Sequence, residues 1–178
     1  MSIVKIAQAL SLIRQIPDFP MPGILFYDIT PLLADADAFK EVIAELSLSD
    51  DSIDFVAGME ARGFIFASAL ALYRNAGFIP IRKSGKLPAP TFNQTYGLEY
   101  GTDVLEIHKD ACSPESNVLI VDDVLATGGT ACAAVRLVES TGAKVSKVSF
   151  VLEIEALNGR RKLLDEFPSL NVVSLKVV

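Results

Sequence analysis

The sequence predicts a single α/β domain, a parallel sheet with helices on both faces. Apolar runs without surface alternation recur along the chain, as is typical of strands buried on both sides. Two of these runs are each followed by a loop containing glycine and then by a stretch of helical periodicity. The 178 residues suit one domain, and their 51% hydrophobic content is enough to fill a core. We therefore expect one domain over residues 1–178.

The first 35 residues predict a helix followed by a proline-rich segment. Apolar residues recur at helical spacing at Ile3, Ile6, Ala7, Leu10 and Ile13. This helix should stop before Pro17, and the prolines of residues 17–30 should leave an ordered irregular segment that carries Phe26 and Tyr27. Asp35 or Asp37 can then cap a second helix.

A strand, a loop and a helix then follow one another twice. The first copy is predicted at Ile53–Met59, Glu60–Gly63 and Phe64–Arg74. The second is predicted at Val118–Val121, Asp122–Gly129 and Thr130–Glu139, with Gly142 suited to the end of its helix. Two further strands are expected at Phe78–Arg82 and Lys147–Leu152.

Residues 84–108 interrupt this alternation. Glycines and prolines punctuate short β-like runs such as Val104–His108. We expect a β-hairpin that acts as a flexible flap.

Composition excludes several classes of protein. The 16 basic and 22 acidic residues give a net charge of −6, which argues against a surface that binds nucleic acid or membrane. The longest uncharged apolar stretch, Gly63–Tyr73, is too short to cross a bilayer. Cys112 and Cys132 cannot form a disulfide scaffold, so we expect reduced thiols and a cytoplasmic location. His108 is the only histidine and has no neighbouring metal ligand in the sequence.

The segment that carries chemistry is VLIVDDVLATGGT, Val118–Thr130. Four apolar residues lead to the carboxyl edge of a sheet, where open α/β sheets bind ligands. Asp122 and Asp123 follow, and then a loop of small and hydroxyl residues, here called the motif loop, comprises Ala126, Thr127, Gly128, Gly129 and Thr130. Its backbone amides and the helix that it opens favour a phosphate, while the two acids favour hydroxyls or a developing cation. Neither GxxxxGK[ST] nor GxGxxG is present.

This segment resembles the phosphoribosyl pyrophosphate motif of the type I phosphoribosyltransferases. The resemblance covers nearly the whole chain and is strongest to the adenine-specific branch of that family. Four further blocks carry it in the family order: PDFPMPGILFYDIT, AGMEARGFIF, IRKSGKLPAPT and LEYGTDVLEIHKDA.

The resemblance implies an enzyme of purine salvage with a small N-terminal hood, residues 1–35, over the base. Members of the family join a purine base to phosphoribosyl pyrophosphate, giving a nucleoside monophosphate and pyrophosphate, with Mg²⁺ carried by the pyrophosphate rather than held directly by the protein. By resemblance, the motif loop holds the 5′-phosphate, and Asp122 and Asp123 face the ribose hydroxyls. Carboxylates at that position would stabilise an oxocarbenium-like transition state.

Basic residues are assigned to the pyrophosphate. The loop Glu60–Gly63, here called the arginine loop, resembles the family's pyrophosphate loop, so Arg62 would bind the leaving group. The resemblance also implies a cis peptide between Glu60 and Ala61. A basic cluster is formed by Arg82, Lys83 and Lys86. In the family this segment lies near a dimer interface, so the resemblance implies a homodimer. Ordinary solvated charge remains an alternative for Arg62 and for this cluster.

The base site is also assigned by resemblance. Glu99 would act as the acid near N7 of the base, with Tyr100 closing the flap. Phe26 and Ile154 would stack on the base, and backbone groups of Leu25 and Tyr27 would read its edge. Plain surface exposure of Glu99 and plain core packing of Phe26 and Ile154 remain alternatives.

The resemblance implies adenine as the base, because LEIEAL lacks the lysine with which hypoxanthine and guanine transferases read the 6-oxo group. A 6-oxopurine (hypoxanthine, guanine or xanthine) phosphoribosyltransferase is the alternative enzyme. A regulator that senses phosphoribosyl pyrophosphate is the alternative of another class. It would need a DNA-binding module, yet the first 35 residues contain only two basic side chains, Lys5 and Arg14.

Overall fold

The computed structural model describes residues 3–48, 52–97 and 102–178, and the chain divides after Leu48 into two units. The first unit contains helix α1 (Ile3–Ser11), strands β1 (Arg14–Pro17) and β2 (Leu25–Asp28), and helices α2 (Thr30–Ala34) and α3 (Ala36–Leu46). The unit extends beyond the hood boundary predicted at residue 35. Whether the chain is one domain stays a prediction.

The first unit confirms the two predicted helices and corrects the segment between them. The Asp35 side chain accepts a hydrogen bond from the Ala38 amide at 2.9 Å and caps α3, as predicted. The expectation of an irregular segment through Phe26 and Tyr27 was wrong. Leu25–Asp28 forms β2 because its backbone pairs antiparallel with Arg14–Pro17.

The second unit contains a seven-stranded sheet. Its elements are β3 (Phe55–Met59), α4 (Gly63–Arg74), β4 (Gly77–Lys83), β5 (Thr91–Gly97), β6 (Thr102–His108), β7 (Asn117–Leu125), α5 (Gly129–Ser140), β8 (Lys144–Glu153), a 3₁₀ turn (Glu155–Leu157), α6 (Gly159–Glu166) and β9 (Val172–Val177). The strand order is β5-β6-β4-β3-β7-β8-β9. Five neighbouring strands run parallel, namely β4, β3, β7, β8 and β9. This parallel sheet confirms the predicted fold class.

The order of the strands creates a switch point between β3 and β7. The chain leaves β3 through α4 toward one edge of the sheet and leaves β7 through α5 toward the other. Because such crossovers are right-handed, α4 and α5 lie on opposite faces. Ligands of open α/β sheets bind in the crevice at the carboxyl ends of the two strands where this direction changes.

The core of the second unit lies between the sheet and α5. The predicted inner stripe of α5 is buried throughout: Ala131, Ala134, Val135 and Val138. These side chains pack with fully buried strand residues such as Ala57, Ile120 and Val148. Gly142, with φ of +88°, follows the helix at the predicted position. This packing fixes where α5 begins and therefore where the motif loop lies.

The predicted hairpin is present and extends the sheet. β5 and β6 pair antiparallel from Thr91 opposite His108 to Gly97 opposite Thr102, and β6 also pairs antiparallel with β4. Glu99 and Tyr100 lie outside the described residues. The flexibility of the hairpin stays a prediction. None of the helices in the described ranges has the length and apolar character that crossing a membrane requires.

Candidate active site

The arginine loop and the acidic end of β7 meet at the switch point. β3 ends at Met59, so the arginine loop leaves the sheet at its carboxyl edge. The structure corrects the predicted loop at 122–129, because β7 continues to Leu125 and holds Asp122 and Asp123 within the strand. Arg62 Nε lies 2.8 Å from Asp123 Oδ2. One ion pair therefore joins the two segments that the sequence assigned to pyrophosphate and to ribose.

Gly63 lets the two segments approach closely. A methyl group at Gly63 would lie 2.7 Å from Asp122 Oδ1 and 3.0 Å from the Val121 carbonyl oxygen. Both distances are shorter than ordinary van der Waals contact. Only glycine therefore fits at the first residue of α4 without displacing the Asp122 carboxylate.

Burial dominates the electrostatics of the two acids. Asp123 is 5% exposed, and burial raises the pKa of its carboxyl while Arg62 opposes that rise. Burial also raises the pKa of Asp122, and the charge of Asp123 adds to the effect. The Asp123 amide donates to Asp122 Oδ1 at 2.9 Å and orients that carboxylate. The pair is thus a rigid acceptor site, held where hydroxyl donors or a cation would relieve its desolvation.

The motif loop ends at the first turn of α5. Gly128 has φ of +79°, and α5 begins at Gly129. A methyl group at Gly128 would lie 2.6 Å from the Gly159 carbonyl oxygen, so the position needs glycine for both conformation and space. The first amides of α5 lack partners within the helix and point out of its N-terminus, where an anion is favoured.

Glu60 organises the basic residues at the end of β4. Its carboxylate accepts from Arg82 Nε at 3.3 Å and from the Lys83 amide at 3.0 Å. These contacts, the Lys83 amide first, lower the pKa of Glu60. Arg82 also donates to the Lys86 carbonyl at 3.2 Å. The peptide between Glu60 and Ala61 is cis, as the family resemblance implied.

The basic cluster does not converge on one point in this structure. The Lys83 ammonium lies 2.9 Å from Asp103 Oδ2 on β6, whereas the Arg82 guanidinium faces Glu60. The hydrogen bond and the charge of Asp103 raise the pKa of Lys83. Arg82 and Lys83 therefore hold the arginine loop and the hairpin to β4.

The residues predicted to contact the base lie in different units. Phe26 on β2 packs edge-on against Phe19 in the first unit, with ring centroids 5.1 Å apart. Leu25 and Tyr27 flank it on the same strand. Ile154 follows β8 in the second unit, and its amide donates to the Leu125 carbonyl at 2.9 Å.

Cys112, Cys132 and His108 lie outside these assignments. Both cysteines are free thiols, as predicted, and both are buried. The Ala89 amide donates to His108 Nε2 at 3.4 Å, beside the hairpin. Across residues 3–48, 52–97 and 102–178, no three side chains of His, Cys, Asp or Glu form a cluster suited to a metal ion.

Comparison with known proteins identifies the family. Residues 28–175 match the family described as the phosphoribosyl transferase domain. An adenine phosphoribosyltransferase of Acidobacterium capsulatum is 52% identical over 167 residues, which cover 93% of this chain and 90% of that relative. This chain belongs to the adenine phosphoribosyltransferase family.

Solved adenine phosphoribosyltransferases share the fold. The crystal structure of the enzyme from Thermoanaerobacter pseudethanolicus has a TM-score of 0.91 and 48% identity, covering 97% of this chain and 99% of that chain. The enzyme from Saccharomyces cerevisiae, in complex with D-2,5-dideoxy-2,5-imino-altritol 1,6-bisphosphate and adenine, has a TM-score of 0.90 and 40% identity. This structural match covers 98% of the present chain and 99% of the Saccharomyces cerevisiae chain.

The sequence did not predict two residues that shape this adenine phosphoribosyltransferase site. Glu60 was placed in the arginine loop without a role, because its partners on β4, Arg82 and Lys83, are 22 and 23 residues away. Gly159 was not considered, although a methyl group there would lie 2.2 Å from the Ala126 carbonyl oxygen. The Asn158-Gly159 pair after a buried strand is the signal that could have indicated a close backbone approach.

Proposed function

We propose that this chain transfers the 5-phosphoribosyl group from phosphoribosyl pyrophosphate to adenine, a reaction of purine salvage. N9 of adenine forms a bond to C1′ as the bond from C1′ to the pyrophosphate oxygen breaks. The products are AMP, pyrophosphate and the proton lost from the base. The ion pair between Arg62 and Asp123 carries the proposal, because it brings a leaving-group ligand beside a ribose ligand at the switch point.

The motif loop and the two acids bind the ribose 5-phosphate. Backbone amides of Ala126–Thr130 and the hydroxyls of Thr127 and Thr130 donate to the 5′-phosphate, supported by the start of α5. Asp122 and Asp123 accept hydrogen bonds from the ribose hydroxyls. Their charge also stabilises the positive charge that develops at C1′ as the leaving group departs.

Arg62 binds the pyrophosphate, and Arg82, Lys83 and Lys86 supply further positive charge. Mg²⁺ neutralises charge on the pyrophosphate when it is bound. It is typically held through one or two carboxylates together with substrate phosphates and water. Asp122 and Asp123 offer hard oxygen atoms that fit such an ion at this edge of the sheet, but in this proposal they bind the ribose hydroxyls and the ion is carried by the pyrophosphate, with no direct ligand from the protein.

The base site follows from the same reaction. Phe26 and Ile154 stack on the adenine ring, and backbone groups of Leu25 and Tyr27 read its edge. Because the base loses a proton as N9 bonds to C1′, Glu99 acts near N7 as the acceptor of that proton in the direction of AMP formation, and Tyr100 helps to close the hairpin over the site. The yeast neighbour's complex with adenine supports adenine as the base.

The chain acts as a homodimer in this proposal, in the cytoplasm. Apolar side chains that are more than one third exposed lie on α4 and at the start of β4: Ile65, Leu72, Tyr73 and Phe78. Leu72 is 85% exposed. Such a surface is typical of a protein–protein interface. Light scattering should give twice the mass of one chain, and Leu72→Glu should lower that mass; a wild-type mass of one chain would contradict the dimer.

A product assay tests the proposed reaction. The protein is mixed with phosphoribosyl pyrophosphate, Mg²⁺ and one base at a time from adenine, hypoxanthine, guanine, xanthine and orotate. Nucleotides are separated by chromatography, and pyrophosphate is followed by a coupled assay. AMP from adenine alone is expected. IMP or GMP as the main product would overturn the base assignment, and binding of phosphoribosyl pyrophosphate without any product would favour a sensor.

A further inference from the structure

The first turn of α6 packs against the motif loop. A methyl group at Gly159 would lie 2.2 Å from the Ala126 carbonyl oxygen and 3.0 Å from the Gly128 amide nitrogen. The approach is mutual, because a methyl group at Gly128 would lie 2.6 Å from the Gly159 carbonyl oxygen. The backbones of the two segments are thus in direct contact, with no room for a side chain between them.

Arg160 and Leu163 hold α6 in this position. The Arg160 guanidinium makes a two-pronged contact with the carboxylate of Glu153, which is 4% exposed. It also donates to the Val172 carbonyl at 2.7 Å on the neighbouring strand β9. Leu163 is fully buried in the core on the inner side of α6. The helix is therefore anchored to the sheet, and its first turn has a defined position beside the motif loop.

This anchoring brings the Lys162 ammonium to the start of α5. A methyl group at Gly129 would lie 3.6 Å from Lys162 Nζ. Lys162 forms no ion pair with any residue that the structure describes. The side chain also lines an open groove of about 410 Å³ along α6, so solvent and ligands can reach it.

Two kinds of charge act on Lys162, because the carboxylates of Asp165 and Glu166 line the same groove and the start of α5 lies beside its ammonium. The N-terminus of a helix carries a partial positive charge, so an ammonium beside Gly129 is repelled by α5. A phosphate bound by the motif loop would reverse the sign of that interaction. We propose that Lys162 binds the 5′-phosphate together with the motif loop, with Gly159 and Arg160 as positioning residues. This inference rests on the proposed function and adds a ligand from outside the Val118–Thr130 motif.

A matched pair of variants tests the role of Lys162. Lys162→Met and Arg161→Met each remove one positive charge from α6. Arg161 is the control because its side chain is 80% exposed and lies near Asp165. Isothermal titration of AMP and of adenine, at two salt concentrations, is combined with steady-state kinetics, and thermal melting checks that each variant is folded.

Lys162→Met should raise the Kd for AMP and the KM for phosphoribosyl pyrophosphate about tenfold, the scale of one lost charge-assisted hydrogen bond. The Kd of Lys162→Met for adenine, which has no phosphate, should stay within about twofold of the wild-type value. The Kd values of Arg161→Met for AMP and for adenine should also stay within about twofold of the wild type. Lys162→Arg should restore most of the affinity for AMP. Weaker salt dependence of AMP binding is expected for Lys162→Met.

Three outcomes separate the inference from the function on which it rests. If the wild type makes AMP but Lys162→Met and Arg161→Met bind AMP equally well, the role of Lys162 is refuted and the proposed function stands. If Lys162→Met weakens adenine and AMP alike, Lys162 acts on the fold of the site and not on the phosphate. A wild type that neither binds AMP nor forms it would refute both.

Discussion

Replacing Gly63 with alanine tests the close contact between the arginine loop and the acidic end of β7. The added methyl group would lie 2.7 Å from Asp122 Oδ1, where ordinary contact begins at 3.4 Å. The carboxylate must therefore move by about 0.7 Å, or α4 must shift. The Val121 carbonyl oxygen, 3.0 Å from the methyl group, belongs to the sheet and cannot give way easily.

The expected effect on activity is larger than the effect on stability. Overpacking of this kind costs about 1–3 kcal/mol, and alanine recovers up to about 1 kcal/mol through its higher helix propensity. We therefore expect a loss of about 1–2 kcal/mol in the free energy of unfolding. A misplacement of about 1 Å at a catalytic group lowers the reaction rate about 100-fold. We therefore expect kcat/KM for phosphoribosyl pyrophosphate to fall by about 10- to 100-fold.

A double-mutant cycle identifies the cause. Urea unfolding and steady-state kinetics are measured for Gly63→Ala, for Asp122→Ala and for the double variant. Because Asp122→Ala removes the 2.7 Å contact, Gly63→Ala should cost less stability in that background, by at least about 0.5 kcal/mol. Gly97→Ala is the matched glycine control, since a methyl group there meets nothing within 4 Å. Equal stability costs in the two backgrounds, or an unchanged kcat/KM for Gly63→Ala, would refute the reasoning.

Three further predictions concern titratable groups. Asp122→Asn should unfold at a higher urea concentration than the wild type at pH 8, while turnover falls at least about tenfold. The reason is that burial raises the pKa of Asp122 above 3.8. Ionisation of this carboxyl therefore lowers the stability of the folded state fully above the folded pKa and not at all below the unfolded pKa. No stability gain at pH 8 would contradict this. Asp28→Asn should lower the stability of the protein at pH 6, and the stability difference from the wild type should shrink as the pH falls from about 4 towards 2. The reason is that hydrogen bonds from Thr30 and then Arg14 lower the pKa of Asp28 to about 2. A stability difference that is constant over this range would contradict the lowered pKa of Asp28. Burial, with the charge of Glu166, raises the pKa of the Cys132 thiol to about 11. Iodoacetamide at pH 8 should therefore label this thiol in urea but not in the native protein, as measured by mass spectrometry. Rapid labelling of the native protein would contradict the burial of Cys132.

Local patterns predicted most elements of the second unit, because those patterns have local causes, but α6 and β9 were not predicted. Helical and strand periodicity located β3, α4, β4, β7, α5 and β8, with differences of a few residues at their ends. Strand pairing between distant segments is a non-local property, and it explains the errors. β2 forms only because β1 lies beside it, and β7 continues through Asp122 and Asp123 because β8 pairs with it as far as Leu125.

The same distinction applies to the candidate site. The order of residues in the Val118–Thr130 motif, read with four other blocks, was enough to indicate the family, the reaction and the acids and loop proposed to carry it. Their chemistry resides in residue type and spacing, which a sequence displays directly.

The tertiary structure alone decided which side chains meet. The 2.8 Å contact between Arg62 and Asp123 joins residues that are 61 positions apart, and Lys162 reaches Gly129 across 33 positions. Arg82 and Lys83, adjacent in the sequence, instead face different partners, Glu60 in the arginine loop and Asp103 on β6. Such contacts depend on strand order, crossover direction and the absence of a β-carbon at Gly63, Gly128 and Gly159, because backbones that approach this closely leave no space for a side chain. The sequence by itself determined the chemistry available to this protein, and the packing of the sheet determined where that chemistry is assembled.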